Sequence, residues 1–126
     1  MVRMGSILTR IRDRLDRVGV VLSCLCLVHC VLGLVLVAGL GAGATFLLDP
    51  AIHKAGLLLA TIVAGVAIGI GAIRHRRAAP FVVAMTGLSF MGGALAVGHG
   101  YEEAVLTIIG VILVATGHIL NLRKLT

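Results

Sequence analysis

The chain has 126 residues, of which 60% are apolar and only 13% charged, and its mean hydropathy is +1.15. A soluble domain is ~45–50% apolar and ~25% charged, so this composition excludes both an ordinary water-soluble globule and a disordered chain. The formal charge is +6, but three Phe, one Tyr and no Trp offer no stacking platform for DNA or RNA, and no nucleic-acid partner is expected.

Residues 6–17 predict a short amphipathic helix with Ser6 as its cap. Ile7, Leu8, Ile11 and Leu15 share one face and the arginines lie opposite, a pattern suited to the headgroup layer of a bilayer. Four apolar stretches follow, over residues 18–40, 55–73, 79–98 and 104–122. Each is close to the ~20 residues that a spanning helix needs. The expected fold class is therefore all-α: a four-helix transmembrane bundle forming a single membrane domain over residues 1–126. A cleaved signal peptide is disfavoured, because the first apolar stretch exceeds the ~7–15 residues of a signal core.

The loops set the orientation. Arg3, Arg10, Arg12, Arg14, Arg17, Arg74, Arg76, Arg77, Arg123 and Lys124 fall on one side of such a bundle, and Lys54 alone on the other. The positive-inside rule then places both termini in the cytoplasm. Gly65 with Gly69, Gly92 with Gly93, and Gly110 with Gly117 are expected at close helix contacts.

All three cysteines fall in Ser23-Cys24-Leu25-Cys26-Leu27-Val28-His29-Cys30 of the first span. A disulfide framework would spread them over loops, so they read as thiols. Cys26, His29 and Cys30 stand at i, i+3 and i+4, on one helical stripe that also carries Ser23. Cys24 points ~160° away from Cys26. His29 lies ~18 Å past Arg17 along the helix, near the midplane of a ~30 Å core. An ionisable group at that depth is a functional candidate, and thiolate with imidazole suits a soft or borderline ion: mercuric, cuprous or zinc. The plain alternative makes the cysteines small apolar fillers and His29 a hydrogen-bonding partner of a neighbouring helix.

Other polar residues form a ladder: Asp49, His53, His99, Glu102 and Glu103 toward the outside, Asp16, His118 and Asn121 toward the inside. His118 and Asn121 are i and i+3 and so share a face, about level with Gly19 to Ser23. The candidate metal ligands are Cys26, His29, Cys30 and His118. The candidate relay residues are Asp16, Ser23, Cys24, His99, Glu102, Glu103 and Asn121. Each outer residue taken singly reads equally as a solvated loop residue. No nucleotide loop, hydrolase elbow or HExxH motif is present, so neither an enzyme nor an organic cofactor is expected. Two other readings stay open: a haem or redox bundle using His29, His99 or His118 as axial ligands, and a ligand-free structural subunit.

Asp16-Arg17-Val18-Gly19-Val20-Val21-Leu22-Ser23, Leu25-Cys26-Leu27-Val28-His29-Cys30, Gly71-Ala72-Ile73-Arg74-His75-Arg76-Arg77, and Glu102-Glu103 with Gly117-His118-Ile119-Leu120-Asn121-Leu122-Arg123 stand in this order along residues 16–123. In these blocks the chain resembles the MerC family of bacterial inner-membrane proteins, named for mercury resistance. The resemblance implies four membrane helices in the bacterial inner membrane and uptake of mercuric ion, with Cys26 and Cys30 as the ion-binding thiols. It also implies a cytoplasmic thiol reductase or chelator as recipient. A second copy of the chain is a further candidate partner beside the metal ion and the lipid bilayer.

Overall fold

The computed structural model describes residues 2–40, 49–97 and 101–123. It contains four helices: α1 over Val2–Leu40, α2 over Pro50–His75, α3 over Ala79–Ala96 and α4 over Tyr101–Arg123. All four are long and apolar enough to cross a membrane, and no strand occurs among the described residues.

Local chemistry sets the helix ends. The Asp49 carboxylate accepts a hydrogen bond from the Ala51 N–H at 2.9 Å, and Pro50 fills the first helical position of α2, where a missing N–H costs nothing. The helix stops at Arg76, which takes the left-handed conformation, φ 51°. Residues 76–78 turn the chain directly into α3, which carries Pro80 in its first turn. Glu102 and Glu103 open α4 and Arg123 closes it, charges that oppose the helix dipole at each end.

The helix expected over residues 6–17 is present and runs on into the first span without a break. It forms the first turns of a continuous α1 of 39 residues. Ile7 and Ile11, of the apolar face expected in the headgroup layer, are 53% and 43% exposed, while Arg12, expected on the opposite polar face, is 1% exposed and Asp16 fully buried. The Arg12 guanidinium donates to the Asp13 carboxylate at 2.8 Å. Arg74 near the end of α2 donates to the Gly5 carbonyl at 2.8 Å. Polar groups thus hold this segment against the bundle, and its apolar face looks outward.

Polarity is inverted along the spans too. Val18, Val21, Leu25, Val28 and Val35 of α1 and Leu58, Leu59, Ile62 and Val66 of α2 are exposed, as a lipid-facing surface requires. Buried inside are Asp16, Ser23, Glu103, Thr107, His118 and Asn121. The apolar centre consists of Ala60, Met91, Val111 and Val114, with Leu22, Leu27, Leu57 and Cys26 packed on it, and of Ala64, Ile68 and Ala84.

The close helix contacts fall only partly where the glycine spacing placed them. Gly65, Gly69, Gly92 and Gly93 have no neighbour within 4 Å of a built Cβ. The expected Gly110 does meet a neighbour: α3 and α4 approach through Gly87 and Gly110, where a Cβ on either would lie 2.6 Å from the other's carbonyl oxygen. Gly117 meets Ala84 on the same seam.

Candidate metal site

Two polar sites occupy opposite ends of the bundle. The first lies where α2 and α4 begin. On α1, Cys26, His29 and Cys30 line one cavity of ≈ 500 Å³, as the i, i+3, i+4 spacing required. Cys30 is buried, Cys26 is partly buried, and Cys24 is exposed on the far side of the helix. Gly56 of α2 stands opposite Cys26: a Cβ there would sit 3.7 Å from its Sγ, so the absent side chain helps keep the cavity open. Met91 adds a thioether to the lining.

Two residues from other helices reach this stripe. His53, in the first turn of α2, brings Nε2 to 3.9 Å from the Cys30 Sγ. Its Nδ1 lies 3.5 Å from Oε1 of Glu103, in the first turn of α4. Both side chains are buried, at 10% and 6% exposure. The rings of His29 and His53 meet edge to face, with centroids 5.9 Å apart. His29 Nε2 is buried without a hydrogen-bond partner among the described residues. Burying such a nitrogen unpaired is costly, and a metal ion would satisfy it.

This placement moves the stripe off the midplane. Cys30 stands level with the first turns of α2 and α4, so it lies toward one end of the spans. The counting from Arg17 assumed that the bundle begins there, whereas α1 is packed against other helices from Gly5 onward.

The second site lies where α2 and α4 end. Asp16 and His118 are fully buried, and His118 Nδ1 lies 2.7 Å from Asp16 Oδ1. A carboxylate only accepts, so Nδ1 is the donor in this contact. Asn121 donates to Asp16 Oδ2 at 2.7 Å and to the Ala67 carbonyl at 3.1 Å. Gly19 and Gly71 make room: a Cβ on Gly19 would overlap the His118 ring, and one on Gly71 the Asn121 amide. The His118 ring lies against Gly19 with no exposed face, so it has no room to serve as an axial ligand to a haem.

The expected residues therefore divide. Cys26, His29 and Cys30 gather with Glu103, while His118 joins Asp16 and Asn121, ~21 Å further along α1 by helical rise. Ser23 is buried between the two sites beside the apolar cluster. Glu102 is exposed, and His99 lies outside the described residues. Among the described residues, no group of three His, Cys, Asp or Glu is arranged to hold one metal ion. His53 joins the stripe although the second span was expected to start only at residue 55. The Asp49-Pro50 cap is the signal that starts the helix earlier and turns His53 inward with Gly56 and Ala60.

The model of a family described as MerC mercury resistance protein matches residues 16–123, a stretch that contains both polar sites. The chain belongs to the MerC family. It is a multi-pass membrane protein of mercury-resistance type. Comparison with curated proteins and with solved structures returned no match. In this MerC chain the match begins at Asp16 and ends at Arg123, so it leaves out most of the N-terminal extension and retains every candidate ligand.

Proposed function

We propose that the protein takes up a soft metal ion, mercuric ion foremost, through the thiols of α1 and delivers it to the cytoplasm. The observation that carries this reading is the cavity lined by Cys26, His29 and Cys30 at the end of the bundle where α2 and α4 begin. The excess of Arg and Lys in the N-terminal segment, the α2–α3 turn and the C-terminal tail supports an orientation with that end outside the bacterial inner membrane and both termini in the cytoplasm.

An arriving ion exchanges its ligands for Cys30 and Cys26, and each sulfur–metal bond formed releases one thiol proton. Soft thiolates select such ions over the hard cations of the medium. The apolar cluster of Ala60, Met91, Val111 and Val114 closes the inner side of the cavity, with Met91, Leu22 and Leu57 facing it. The ion therefore advances only when helices shift, which keeps protons and water from following. Asp16, His118 and Asn121 lie on the exit side of that barrier and lock α1 to α4. A cytoplasmic thiol reductase or chelator then removes the ion by the same exchange of sulfur ligands.

Uptake of radioactive mercuric ion by cells producing the protein tests this. The expected result is accumulation above cells lacking the protein, abolished by Cys26→Ser with Cys30→Ser at equal membrane levels. Equal accumulation by the double variant contradicts the reading.

A further inference from the structure

We propose that His53 is a metal ligand contributed by α2 and that Glu103 orients it, so that an ion on Cys30 is held between two helices and not by α1 alone. The proposal rests on the reading that the α1 thiols take metal. It adds a nitrogen donor and thereby a class of ion, the borderline divalent cations represented by zinc.

Three observations converge on this pair. The first is distance. Metal–sulfur and metal–nitrogen bonds of ~2.3 Å and ~2.0–2.1 Å span ~3.6 Å at a tetrahedral angle and ~4.4 Å in a straight line. The Cys30 Sγ to His53 Nε2 separation of 3.9 Å falls between these limits, so an ion fits between them without moving the backbones. The second is orientation. His53 Nδ1 faces the Glu103 carboxylate at 3.5 Å. That favours the proton on Nδ1 and turns the bare Nε2 toward the thiol, the carboxylate–histidine–metal order found around many metal sites. The third is burial. His53 and Glu103 are largely shielded from solvent, and His53 Nδ1 makes no hydrogen bond among the described residues, so the Glu103 carboxylate acts on the ring as a nearby charge. A thiol–imidazole contact alone is a weak S–H···N hydrogen bond.

A two-residue grip also suits transport. A complete cage would hold the ion, whereas conduction needs binding strong enough to enter and weak enough to leave. Because the donors sit on α1 and α2, a small separation of these helices opens the site.

The test uses the full chain in lipid nanodiscs, loaded separately with zinc and with mercuric ion. X-ray absorption identifies the donor atoms, and competition with a chelator gives affinity. The wild type is expected to show sulfur and imidazole nitrogen around zinc. His53→Ala and His53→Gln, the latter keeping a polar group of similar reach, are expected to lose the nitrogen and at least about tenfold in zinc affinity. His29→Ala is expected to retain the nitrogen. Glu103→Gln is expected to weaken zinc about 10–100-fold with His53 present and to cost nothing further in the His53→Ala background, which separates a positioning role from a structural one. Nitrogen and affinity unchanged in both His53 variants, with sulfur still bound, overturn the assignment. A wild-type shell without sulfur overturns the reading of α1 itself, and the assignment falls with it.

Discussion

His118 Nδ1 and Asp16 Oδ1 lie 2.7 Å apart although 102 positions separate them in the chain, and neither side chain is exposed. The pair ties α1 to α4, and Asn121 occupies the other carboxylate oxygen. Removing one member of a buried pair leaves the other polar group stranded, at a cost of about 3–5 kcal/mol. Asp16→Ala is expected to lower stability by that amount. Asn121→Ala removes one interhelical hydrogen bond, and in membranes such bonds are worth only about 1 kcal/mol. Thermal unfolding in detergent is expected to rank the two variants in that order. Equal, small losses would mean that water or lipid headgroups already satisfy Asp16.

Gly19 and Gly71 are where this network is most sensitive to volume. A Cβ at Gly19 would occupy the space of the His118 ring. Gly19→Ala is expected to push the imidazole off Asp16 and destabilise by about 1–3 kcal/mol, as overpacking does. Gly65→Ala, which meets nothing within 4 Å, is the matched control and is expected to be neutral or slightly stabilising. The comparison is read from melting temperatures. A Gly19→Ala protein as stable as Gly65→Ala would show that the ring has another place to go.

Gly56 bears on access to the thiols. Its missing side chain faces Cys26 across the cavity. Gly56→Ala adds a Cβ at an ordinary contact distance of 3.7 Å and is expected to bind metal normally. Gly56→Leu fills the cavity and is expected to slow labelling of Cys26 by a mercurial reagent while leaving exposed Cys24 as reactive as before. Peptide mapping after a short exposure reads both sites. Equal labelling of Cys26 in the leucine variant would show that reagents reach it by another route.

The four spans were legible because lipid demands long uncharged runs, which need no tertiary information to recognise. The Cys26, His29, Cys30 stripe was legible for a similar reason, since helical spacing alone puts those residues on one side. Helix rotation was not. The spacing of Gly65 and Gly69 marks a surface on which close approach is allowed, yet of the expected glycines only Gly110 and Gly117 meet another helix closely, at Gly87 and Ala84. Which of Glu102 and Glu103 turns inward depends on the same rotation, and only Glu103 is buried. In the N-terminal turns Ile7 and Ile11 form the outward apolar face that the spacing suggests, whereas the burial of Arg12 and Asp16 depends on the neighbouring helices and was not legible. Asp16, His118 and Asn121 could each be placed at one depth by counting, but their pairing depends on the angle between α1 and α4.

Metal content of the purified protein tests the central claim most directly. Mass spectrometry of the intact chain after exposure to limiting mercuric ion is expected to show the ion retained by the wild type and by Cys24→Ser, and lost from Cys26→Ser with Cys30→Ser. Equal retention by that double variant would contradict the assignment of the α1 thiols as the site of binding.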